Sequence, residues 1–172
     1  MANRRSKSTI TCLHEDYLSK FITSCLQEAV DNASKQAVEY LANYINDNWY
    51  KEYEPRRYQR TFDFLNSASK TETTISGRNG NSVVCMLYFD TKKIIPRYYG
   101  PEYLNPHASR DGASVAEYIP KWIEDGGWFY GRGKAEGLGS MEATIKMLEK
   151  NFPKMVQNEL KKMGLKVKVS GK

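Results

Sequence analysis

Between His14 and Tyr53 the chain contains neither proline nor glycine. Over that span Leu18, Ile22, Cys25, Ala29, Ala33, Ala37, Leu41, Tyr44 and Ile45 recur at steps of three and four. That is the repeat of one face of an amphipathic helix. At ~1.5 Å of rise per residue the helix would reach roughly 50–60 Å, which is long for a domain of ordinary size. The alanines at 29, 33 and 37 thin the stripe, so another helix or strand can approach closely there.

Pro55 ends this pattern, because the residue before a proline avoids the α region. Beyond it Phe62, Leu65 and Ala68 fit a short helix, with Tyr58 near the same face. The pattern then changes period. Thr71 to Ser76 alternates with β-branched residues, and Ser82 to Phe89 reads as a strand. Gly77-Arg78-Asn79-Gly80-Asn81 between them is turn chemistry, so the two segments form a hairpin.

Residues 92–112 contain three prolines and two glycines and read as an irregular loop, long enough to be an interaction arm. Ser114-Val115-Ala116-Glu117 is a capping box that opens a helix through Trp122 or Ile123. Pro120 inside it predicts a kink or a very short helix. "EDGGWFYGRGKAEGLGS", residues 124–140, reads as a second flexible stretch. Ser140 caps a final helix through about Met163, with Ile145, Leu148, Phe152, Met155, Val156 and Leu160 as its stripe. Pro153 predicts a bend, and Gly164 is a stop signal. "LKVKV" after it is an edge strand or part of the tail. The expected organisation is a flexible basic arm over 1–12, a single α+β domain over 13–165 and a basic tail over 166–172.

The 172 residues include 26 Lys and Arg against 20 Asp and Glu, for a net charge of +6. Arg4, Arg5 and Lys7 lie at one end and Lys161, Lys162, Lys166, Lys168 and Lys172 at the other. Without those eight, 18 basic residues face 20 acidic ones. The body is therefore near −2, with no basic face of the kind nucleic acid selects, and the charged ends can meet phosphates or acidic protein. Mean hydropathy of −0.66 and the lack of an apolar run of membrane-spanning length fit a globular chain. The basic start has no apolar segment behind it, so no secretory signal is expected. Cys12, Cys25 and Cys85 are far apart and odd in number, which argues against a disulfide framework and for a reducing origin. His14 and His107 are the only histidines, too few and too scattered for a metal site. Buried thiols and a surface histidine are expected.

"GRGKAEGLGS" fails as a phosphate-binding loop, because Lys134 is followed by Ala135 and no strand leads in. Glu15/Asp16 and Glu124/Asp125 are adjacent pairs that diverge on a helix, and no base stands beside a nucleophile. The expectation is a protein that is not an enzyme and holds no cofactor and no metal.

One stretch stands apart. "YKEYEPRRYQRTFDFLNS" concentrates rings and guanidiniums at the end of the long helix, and Tyr, Trp and Arg are the residues that anchor protein interfaces. Its Trp49, Tyr50, Tyr53, Pro55, Tyr58, Arg60, Thr61 and Leu65 resemble the signature of tail-completion, or head–tail joining, proteins of long-tailed bacteriophages. The resemblance extends more weakly over residues 14–165, in the order of elements. The longer stretch 92–112 and both basic ends lie outside that signature. The resemblance implies an α+β fold, with a small antiparallel sheet on which helices, the C-terminal one included, are packed. It also implies a structural virion protein of the neck or tail top, forming a ring and catalysing nothing. Its partners would be copies of itself, the adjoining connector or neck and the tail tube, with transient contact to DNA in the channel and no membrane. Assembly would take place in the host cytoplasm. Interface residues expected on this reading are Arg97, Tyr98, Tyr99 and Tyr103 in the 92–112 loop, Arg56, Arg57 and Trp128.

A different reading is a small nucleic-acid-binding protein that uses its basic termini and stacks bases on Tyr98, Tyr99 and Trp128. The body charge near −2 tells against it, and salt discriminates the two, since nucleic-acid binding falls steeply as salt rises.

Overall fold

The structure, a computed structural model, describes residues 5–51, 62–77, 82–94, 115–129 and 133–168, with backbone alone at 5–16, 115–118, 127–129 and 133–135. Helix α1 runs Arg5–Ile45. It starts earlier than the apolar repeat indicates, inside the stretch expected as an arm. At its far end it passes into a π turn, Asn46–Tyr50, closed by the Lys51 N–H donating to the Asn46 carbonyl at 3.0 Å. Among the described residues three further α-helices come after it, α2 (Asp63–Ser67), α3 (Val115–Asp125) and α4 (Ser140–Lys162), with a 3-10 turn at Thr91–Lys93. Six short strands make three antiparallel pairs. β1 (Ala68–Lys70) pairs with β4 (Leu87–Phe89), β2 (Thr74–Ser76) with β3 (Ser82–Val84), and β5 (Gly126–Phe129) with β6 (Gly133–Glu136). The class is α+β, with a long N-terminal helix and small antiparallel sheets.

The chain divides into two units: Met1–Lys35, Glu72–Met86 and Asn151–Lys172 in one, Gln36–Thr71 and Leu87–Lys150 in the other. In the first unit Ala29 and Ala33 are fully buried, as the thin part of the stripe requires, and Val30 and Leu160 are buried with them. Further toward the N-terminus the stripe emerges: Leu18 is 42% and Ile22 55% exposed, contrary to the expectation of a continuous buried face. Gln27 Nε2 donates to the Thr73 carbonyl at 2.6 Å, and Thr73 Oγ donates to Asp31 Oδ1 at 2.8 Å. These bonds fix the root of the β2–β3 hairpin on α1. The hairpin expected from the Asn-Gly turn is present, with Thr74 opposite Val84 and Ser76 opposite Ser82.

The strand expected from Ser82 to Phe89 is broken at Cys85 and Met86. Its first half pairs with β2 and its second with β1. Leu87 and Phe89 are half-buried and Tyr88 between them is exposed, the alternation of a strand with one covered face.

α4 ends as Gly164 predicts. The glycine sits at φ +83°, its N–H donates to the Lys161 carbonyl at 3.0 Å, and the Leu165 N–H donates to the Leu160 carbonyl at 3.1 Å. This is a Schellman closure, for which a Cβ at Gly164 would cost strain. Residues 165–168 are not a strand. The Val167 carbonyl instead accepts from Gln157 Nε2 at 2.7 Å. Cys25 and Cys85 are half-buried rather than buried.

The second unit holds a core of Leu41, Ile45, Phe64, Ala68, Ile94 and Ile123, with Trp49, Tyr50, Leu65, Phe89, Ile119, Leu138 and Met141 packed around it. α2 begins at Asp63, so Phe64 and Ser67 are buried beside the expected Ala68, Leu65 packs only partly on the core and Phe62 is exposed. Phe64 is 3% exposed and meets the Phe89 ring at 4.9 Å, whereas Phe62 is 39% exposed. The stretch expected to be flexible over 124–140 instead forms the β5–β6 pair, with Gly126 opposite Glu136 and Phe129 opposite Gly133.

Glu124, at the end of α3, closes this pair. Its carbonyl accepts from the Gly139 N–H at 3.3 Å, and the Ile123 carbonyl accepts from the Leu138 N–H at 2.8 Å. Its carboxylate accepts from Ser140 Oγ and, at 2.8 Å, from the Met141 N–H. The carboxylate thus caps α4, meeting both an orphan donor and the positive end of the helix dipole. Ser140, expected as the cap, is a fully buried donor to that carboxylate, and its own carbonyl accepts from Thr144 Oγ at 2.8 Å.

This packing can be tested at two places. A Cβ at Gly137 would run into the Glu124 carbonyl oxygen and lie 2.9 Å from that of Asp125. Gly137→Ala is expected to cost about 1–3 kcal/mol by overpacking against backbone that cannot retreat; an unchanged midpoint in urea unfolding contradicts the close approach. Phe64→Ala is expected to cost about 3–5 kcal/mol as a buried ring lost. Phe62→Ala should cost far less, so equal losses in the two thermal melts would overturn the assignment of the buried face.

Candidate functional site

The residues singled out at the end of the long helix meet where α1 gives way to the π turn. A π turn adds a residue to the helical repeat and so rotates the residues after it relative to the α1 stripe, a device often found at functional positions. Here it carries Trp49 and Tyr50, both half-buried against the core of Leu41 and Ile45. Tyr50 stacks on Phe62 with ring centroids 4.7 Å apart and planes 29° from parallel.

Phe62 holds φ 56° and ψ 15°, the left-handed region that a bulky residue adopts only at a cost of order 1–3 kcal/mol. It is the only non-glycine residue with positive φ among the described residues. The strained backbone turns the chain into α2, and the Phe62 carbonyl accepts the Asn66 N–H at 2.9 Å. The stack contributes about 0.5–1.5 kcal/mol beyond buried area, which offsets part of the strain. Tyr50 and Phe62 therefore bring the two ends of residues 51–61 together from opposite sides.

Of the signature residues, Trp49, Tyr50 and Leu65 are brought together at the rim of one core. Tyr53, Pro55, Tyr58, Arg60 and Thr61 lie outside the described residues, as do Arg56, Arg57, Arg97, Tyr98, Tyr99 and Tyr103. Trp128 stands in β5 opposite Lys134. Cys12, His14 and His107 lie where no side chain is described. Phe62, Phe64 and Phe89 complete the aromatic junction and are absent from the site expected on sequence. The signal of the first two is present in "TFDFL", but a helical spacing selects Phe62 and Leu65, and only the left-handed turn at Phe62 moves the register by one.

Chemically the junction offers ring faces and edges and little else. Among the described residues no three His, Cys, Asp or Glu side chains gather as metal ligands do. The described ion pairs are local and on helices, among them Lys35–Asp31, Lys51–Asp47 and Lys146–Glu142, at 2.8, 2.6 and 2.7 Å. Lys146 holds the Glu142 carboxyl below its usual value, first by its hydrogen bond and then by its charge. Any stability from that pair is present above the ordinary carboxylate range and fades as pH falls through the lowered value, on a surface where solvent screens it. No described helix is long and apolar enough to cross a membrane. An aromatic rim with Phe62 exposed is suited to docking a macromolecule.

No curated protein and no solved structure matches the chain. A protein-family model described as YomN matches residues 13–166. The match takes in the long helix from Leu13 onward, the aromatic junction, all three strand pairs and α4. The chain belongs to the YomN family, a phage-associated family.

Proposed function

We propose that the chain is a structural component of the phage virion, a ring-forming tail-completion or neck protein that joins the head and its connector to the tail. The observation that carries this reading is the coincidence of two independent signs at one place. The family is phage-associated and its match spans residues 13–166. Within that span the Trp49–Leu65 signature resembles that of head–tail joining proteins, and its described members sit together at the rim of a packed core. The α+β class agrees with the same reading.

On this reading the protein catalyses nothing and holds no cofactor. Its partners are copies of itself, the connector and the tail tube. Arg56, Arg57, Arg97, Tyr98, Tyr99 and Tyr103 serve as contacts to those neighbours, with Trp128 as a further anchor. The site of action is the neck of the particle, assembled in the host cytoplasm.

Inactivating the gene in the phage that carries it tests this directly. DNA-filled heads and separate finished tails are expected to accumulate, and the wild-type chain supplied in trans should restore joined particles. Normal yields of joined particles would reject the reading. Retention of the purified chain on DNA, lost steeply as salt rises, would favour a nucleic-acid-binding role instead.

A further inference from the structure

We draw no further inference here: the strongest candidate, the face of α1 on which Tyr17, Leu18, Phe21 and Ile22 stand exposed, carries nothing, because nothing in the structure shows what covers it.

Discussion

The Glu124 carboxylate joins three elements that would otherwise have no reason to meet. It stands at the end of α3, accepts from Ser140 Oγ and the Met141 N–H, and so starts α4 where α3 stops. Between these points the chain makes the β5–β6 excursion and returns, and the return is fixed by the Leu138 and Gly139 N–H groups on the carbonyls of Ile123 and Glu124. Charge-assisted bonds to an ionised acceptor are the stronger kind, and here they also satisfy donors that a helix start leaves unpaired. Gly137 belongs to the same device, since the backbone passes too close to Glu124 and Asp125 for any side chain. With α3 and α4 held in this way, Ile119, Ile123, Leu138 and Met141 are delivered to the core shared with α1 and α2.

The aromatic junction depends on that core. Leu41 and Ile45 are fully buried, and one turn later the π turn redirects the chain so that Trp49 and Tyr50 stay on the same core. Phe62 then closes the stack in a strained conformation. Strain of this kind persists only where the surroundings over-determine it, which the burial of Phe64 and Ser67 immediately downstream provides. The result is a Tyr50–Phe62 stack with Tyr50 packed against the core.

Much of this was legible in the amino-acid order, and the parts that were not have identifiable causes. The buried stretch of α1 from Ala29 to Ile45, the β2–β3 hairpin, the presence of helix α3, the extent of α4 and the stop at Gly164 come from periodicity and turn chemistry. The β5–β6 pair did not, because its glycines read locally as a loop while its partners are set by the distant ends of two helices. The break at Cys85–Met86 did not, because a continuous run of strand formers carries no mark of having two different partners. The register of α2 was off by one, since no spacing rule anticipates a phenylalanine in the left-handed region. Leu18 and Ile22 satisfy the helical repeat yet lie exposed, for periodicity reports an apolar face and not its cover. At the candidate site, Trp49, Tyr50 and Leu65 were legible as a group through their resemblance to a signature, whereas Phe64 and Phe89 needed the fold.

The described residues include a long helix with exposed apolar side chains near its start, an open ribbon and an aromatic junction. On the reading proposed above, the chain and its neighbours form the neck of a phage particle. Counting copies of the chain in purified particles against a portal subunit, with isotope-labelled peptides as standards and cryo-electron microscopy of the same particles, tests it most directly. The expected result is a fixed number of copies per particle, arranged as a ring at the head–tail junction. Mature, infectious particles that lack the chain altogether would contradict it.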